Sequence, residues 1–116
     1  MGIEPGALVV EIGTPRALGP SDFDSSLLAR ALRARTPAIR RAYEGAWASS
    51  EEPEGHITIQ LTVERSGALS HVLVSEDFEG ATELGLAIVE AIRSVRLPSG
   101  PARRAIYEVP IVLAAR

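Results

Sequence analysis

Histidine, carboxylate and hydroxyl side chains are where chemistry would begin, and this chain offers few of them in useful arrangements. It has two histidines, His56 and His71. A hairpin that turns at Ser66 and Gly67 pairs Val63 with Ser70, Leu61 with Val72 and Ile59 with Val74. In that register His71 faces Thr62, and His56 lies six residues further along its strand, roughly 20 Å away. The two cannot share a metal, and both read as outward-facing strand residues.

Glu76, Asp77 and Glu79 form an acidic cluster, but the glycine and closing bidentate glutamate of a calcium loop are missing, so a solvated turn before a helix accounts for them. Ser66 and Ser75 lack the tight strand-to-helix context of an activated nucleophile, and no glycine-rich loop could cradle phosphate. Tyr43 and Trp47 sit four residues apart, a spacing that could stack a ligand but more ordinarily buries aromatics against a sheet. Arg30, Arg33, Arg40 and Arg41 read as the solvated flank of the same helix. The residues thus point to no catalytic centre, cofactor or metal site.

The elements that would carry these residues follow from periodicity. Residues 6–12 are rich in β-branched side chains and end at Gly13 and Pro15, which makes them a short strand. A helix begins near Asp24 to Ser26, and Leu28, Ala31, Leu32, Ile39, Ala42, Tyr43, Ala46 and Trp47 keep one apolar face through more than five turns. Pro37 kinks or breaks it, or follows a second cap at Thr36. Residues 48–55 have the composition of a loop. In residues 56–64, Ile57, Ile59, Leu61 and Val63 alternate strictly with polar neighbours, the pattern of a strand buried on one face. Residues 69–75 return as its hairpin partner. A second helix over residues 81–95 presents Leu84, Ala87, Ile88, Ala91, Ile92 and Val95. Residues 104–113 form a last strand with Tyr107, Val109, Ile111 and Leu113 on one face. Pro110 cannot donate to a ladder, so this strand is expected at a sheet edge or with a bulge.

The order predicts an α+β fold, two helices packed on one face of a three- to four-stranded antiparallel sheet. At 116 residues, 46% hydrophobic and 23% charged, one domain spanning residues 1–116 is expected, stable without disulfides. The net charge of -3, with twelve basic residues, all arginine, excludes the basic field that nucleic acid requires. The longest apolar runs are too short to cross a bilayer. The chain is therefore expected to be soluble, or the soluble part of something longer.

Across residues 23–113 the chain resembles the C-terminal domain family of TonB-type envelope proteins, in particular the gliding-motility AgmX/PglI C-terminal type. The likeness rests on Ile39-Arg-Arg-Ala-Tyr-Glu44, on Gly55-His-Ile-Thr-Ile-Gln-Leu-Thr-Val63, on Ser66-Gly-Ala-Leu69, on Val72-Leu-Val-Ser75, on Val95-Arg-Leu-Pro98 and on Val109-Pro-Ile111. The strand over residues 6–12 lies outside that pattern. The resemblance implies a non-catalytic periplasmic module of an inner-membrane-anchored protein, which adds an extended segment of an outer-membrane or envelope partner to its sheet and so couples the two membranes in transport or motility. With the last strand as the edge, Ile106, Glu108, Val109, Pro110 and Val112 are the expected partner contacts. The competing expectation is a homodimerisation or assembly domain. An N-terminal strand paired with the last strand would occupy the edge that a partner needs.

Overall fold

A computed structural model describes residues 8–48, 55–76 and 82–115. Among them the fold is α+β, with three helices and five strands in one antiparallel sheet. The strands are β1 (Leu8–Ile12), β2 (Arg16–Ala17), β3 (Gly55–Val63), β4 (Leu69–Glu76) and β5 (Ala105–Ala115). The helices are α1 (Ser25–Arg33), α2 (Thr36–Ala48) and α3 (Thr82–Arg93). Gly6, Ala7, the acidic pair Asp77 and Glu79, the expected helix start at Ala81 and the loop residues 49–54 lie outside the described residues, as does the side chain of Trp47.

The expected first helix is two. Asp24 opens α1 by accepting from the Ser26 backbone N–H at 2.9 Å and from its hydroxyl at 2.6 Å, which satisfies a donor that has no partner inside the helix. The chain turns at Ala34 and Arg35 and resumes at Thr36, with Pro37 in the first turn of α2 where its missing N–H costs nothing. The Arg35 side chain donates to the Ala91 carbonyl at 2.8 Å, so the junction between α1 and α2 is tied to the last turn of α3, where a cation also meets the negative end of the helix dipole.

The apolar stripes converge as their spacing requires. Leu28 and Leu32 of α1, Ile39 and Tyr43 of α2, and Leu84, Ile88 and Ile92 of α3 are all buried. They pack on Ile57, Ile59, Leu61 and Val63 of β3 and on Tyr107, Val109, Ile111 and Leu113 of β5. Burying such side chains contributes on the order of 2 kcal/mol each, so this layer is where the fold's stability resides. Buried Tyr107 keeps its hydroxyl satisfied by Ser21 at 2.8 Å, and its ring meets Phe23 in a T-shaped contact.

The β3–β4 hairpin departs from the expected register near its turn, which holds three residues, and regains it at the expected pair of Ile59 with Val74. Glu64 and Ala68 close it, and Gly67 has φ +89°, so Val63 pairs with Leu69 and Thr62 with Ser70. Continued unbroken, that register would put His71 opposite Leu61 on the core face. The pairing instead shifts at His71, whose φ is +50°, and Gln60 meets Leu73 and Ile59 meets Val74. The inserted residue turns the imidazole outward and brings Val72 against the core. A second shift leaves Thr58 opposite Glu76.

Two outcomes test these local arguments. A Cβ at position 67 would lie 2.2 Å from the Leu97 carbonyl oxygen, and the Leu97 N–H donates to the Gly67 carbonyl. Gly67→Ala is expected to destabilise by ~2 kcal/mol or more in urea unfolding. At Asp24, the hydrogen bonds from the Ser26 hydroxyl and then from its backbone hold the carboxyl below its ordinary value. A carboxylate with a depressed folded pKa contributes fully above its unfolded value of about 4 and loses that contribution as pH falls through the folded one. Asp24→Asn keeps a capping oxygen that does not titrate, so the wild-type urea midpoint should fall relative to Asp24→Asn below about pH 4, with no divergence above about pH 5.

Candidate interaction surfaces

The five strands run β1-β5-β3-β4, with β2 also pairing with β5. The last strand is therefore interior, which corrects the expectation that Pro110 marks an edge. On one side β5 pairs with β3 in an unbroken register from Gly55 with Leu113 to Val63 with Ala105. On the other it pairs with β1 from Leu8 with Ala115 to Ile12 with Ile111, and then with β2 at Arg16 with Glu108.

Pro110 is tolerated because of the direction its backbone faces. Its carbonyl accepts from the Gly13 N–H at 2.8 Å. In an extended strand the N–H and C=O of one residue point the same way, so the absent proline donor also faces the N-terminal strand. That strand is interrupted there, at residues 13–15, and divides into β1 and β2. On the β3 side Pro110 sits opposite Thr58, a position that needs no proline N–H. A Cβ at position 13 would lie 2.6 Å from Pro110 Cγ, so glycine is the residue that lets the chain pass over the ring.

The five expected contact residues divide by face. Val109 points into the core and is fully buried, so it cannot touch a partner in this fold. Ile106, Glu108, Pro110 and Val112 alternate with it onto the opposite sheet face, which no described helix covers. Ile106 and Val112 are each 42% exposed. Glu108 accepts from Arg16 at 3.2 Å. Pro110 and Val112 line a shallow depression with Gly55, His56, Leu113 and Ala114.

With β5 enclosed, the edges of the sheet among the described residues are β1 and β4. The pairing of Gly13 with Pro110 implies that Val9, Glu11 and Gly13 direct their backbone groups at β5, and that Leu8, Val10 and Ile12 direct theirs outward. Their side chains meanwhile point into the core, where all three are buried. The outer edge of β1 is thus an unbulged row of backbone groups whose only charged side chain is Glu11. The β4 edge is different, since its two register shifts and the positive φ of His71 break the regular spacing a docking strand would need.

The polar residues considered for chemistry are scattered. His56 and His71 are exposed, and His71 contacts the Ser70 hydroxyl at 3.2 Å. Tyr43 is buried in the core. Among the described residues no three His, Cys, Asp or Glu side chains are grouped to hold a metal ion, and no helix is long and apolar enough to cross a membrane.

Sequence reasoning missed β2, Arg16 and Leu18, because two paired residues inside a stretch dense in Gly and Pro carry no periodic signal. The outward backbone of β1 was missed for another reason, that edge status depends on which strand the chain chooses as neighbour. Comparison with protein-family models, curated proteins and solved structures gave no match.

The fit between Gly13 and Pro110 gives a measurable consequence. Gly13→Ala is expected to push β1 off β5 and to lower amide hydrogen-exchange protection of Val9 and Glu11 at least about tenfold, an opening cost of ~1.4 kcal/mol. Protection in the β3–β5 ladder should stay unchanged.

Proposed function

We propose that this chain is a non-catalytic interaction module that takes up an extended segment of a partner protein as an added strand, at the outer edge of β1. The observation that carries the reading is the contrast between the two edges. β1 is unbulged and mostly apolar, while β4 is interrupted twice. A regular edge strand offers main-chain hydrogen bonds for affinity, and its alternate side chains supply specificity. In keeping with the resemblance to TonB C-terminal domains, the partner is an envelope segment met in the periplasm, and the module couples inner-membrane machinery to it. The order β5-β3-β4 under helices on one face supports that part of the reading, with β1 and β2 as an addition occupying the side of β5 where a partner was expected.

A second reading uses the same edge for self-assembly. Antiparallel pairing of two β1 strands about Val10 sets Glu11 of each copy against Val9 of the other, so no like charges meet and one sheet continues through both copies.

Titration with extended peptides from envelope proteins separates these readings. Partner capture predicts chemical-shift changes at the Val10 and Ile12 amides, with smaller ones along Ile106 to Leu113. Val10→Pro removes an outward donor that the fold does not use, and should weaken binding at least about tenfold while β1–β5 protection persists. Shift changes confined to β4, or none with any such peptide, would remove the case for capture. Concentration-dependent sedimentation abolished by Val10→Pro would favour self-assembly.

A further inference from the structure

Five large apolar side chains are conspicuously exposed among the described residues: Leu18, Leu73, Leu86, Ile106 and Val112. Four of them share the sheet face opposite the helices. Leu73 is opposite Gln60, and Ile106 and Val112 alternate with the buried residues of β5. Leu18 donates its N–H to the Ile106 carbonyl at 2.9 Å, one step beyond β2 in the register that sets Arg16 beside Glu108.

Along β5 the outward positions Ile106, Pro110, Val112 and Ala114 make an apolar ridge broken only by Glu108. From position 106 to 114 it runs about 27 Å, the length of a helix of roughly 18 residues. Beside it β3 contributes almost wholly buried Thr58 and Thr62, with half-buried Gln60 between them and exposed His56 next to Val112. Leu73 of β4 forms the far wall.

The charges around this channel are not balanced. Arg16 pairs with Glu108 at 3.2 Å, and Arg104 lies 4.0 Å from Glu64. Glu11 and Glu76 are exposed, and no described side chain pairs with either. Through the pairings of Glu11 with Val112 and of Glu76 with Thr58 they stand on the open face, at its two sides. Three interstrand spacings separate them across the sheet, about 14 Å, slightly more than the 10–12 Å diameter of a helix with its side chains.

From this arrangement we infer that the open face receives an amphipathic helix of a partner protein, lying along β5 and β3 with an apolar stripe downward and arginine or lysine on both flanks. The stripe covers Ile106, Val112 and Leu73, and the flanking cations reach Glu11 and Glu76. The two unpaired glutamates favour a cationic partner over a second copy, which would bring two more of them to the contact. This surface is distinct from the β1 edge, and a helix could be seated while that edge is occupied or empty.

The test uses a synthetic 18-residue helical peptide with a leucine stripe and arginine flanks, beside a counterpart with glutamate flanks, titrated into the full chain and followed by methyl and amide NMR. The basic peptide is expected to shift the Ile106, Val112, Leu73 and Leu18 methyls, and to bind more weakly at higher salt. Glu11→Gln with Glu76→Gln should weaken it at least about tenfold. Val112→Glu should do the same, and Leu73→Glu serves if that variant unfolds. The inference is overturned if the glutamate-flanked peptide binds as well, if shifts fall only on the Val10 and Ile12 amides, or if no peptide moves the face methyls. It is equally overturned if the chain alone sediments as a dimer that Val112→Glu dissolves, which would assign the face to a second copy.

Discussion

The pairing of β3 with β5 is the constraint on which the rest of this fold depends. It is the longest uninterrupted ladder in the sheet, nine residue pairs from Gly55 with Leu113 to Val63 with Ala105, and it brings together segments far apart in the chain. Both strands place every second side chain in the core, and Ile57, Ile59, Leu61, Val63, Tyr107, Val109, Ile111 and Leu113 are almost completely excluded from water. The helices have one apolar wall to pack on because these two strands are in register. A slip of one residue would turn the whole wall to solvent.

Irregularity is pushed outward from that pair. On one side the break between β1 and β2 accommodates Pro110, with Gly13 crossing the proline ring. On the other, the glycine turn at Gly67 and the bulge at His71 correct each other, so that Leu69, Val72 and Val74 still pack against the core. These departures give the two edges unequal character. The β4 edge is discontinuous, and the β1 edge remains a regular row of outward backbone groups beneath buried Leu8, Val10 and Ile12. A partner strand and a partner helix would therefore meet different parts of the molecule, the first at β1 and the second on the face above β5.

Much of the local structure was legible in the amino-acid order. The alternation of Ile57, Ile59, Leu61 and Val63 has no helical reading, and the spacing of Leu84, Ala87, Ile88, Ala91, Ile92 and Val95 has no strand reading. A cap among Asp24 to Ser26 and Pro37 as an interruption followed from what their side chains can and cannot do. The outward display of Ile106 and Val112 followed from the same alternation that buries Tyr107 and Val109. What failed was the step from Pro110 to an edge strand. That rule assumes a neighbour strand that needs the missing donor, and here the neighbour is interrupted at that point.

By itself, then, the sequence determined the strands and helices other than β2 and most of the side chains that face the core, because both depend on periodicity over a few adjacent residues. Only the tertiary structure decided that β5 lies inside the sheet, that β1 and β4 are its edges, and that Leu18, Leu73, Ile106 and Val112 share one open face. The reason is physical: strand order is set by hydrogen bonds between residues dozens of positions apart, and a backbone N–H carries no side-chain signature of the partner it will find. The residues that could do chemistry were visible from the start, but the surfaces proposed for a partner came from where the sheet places them.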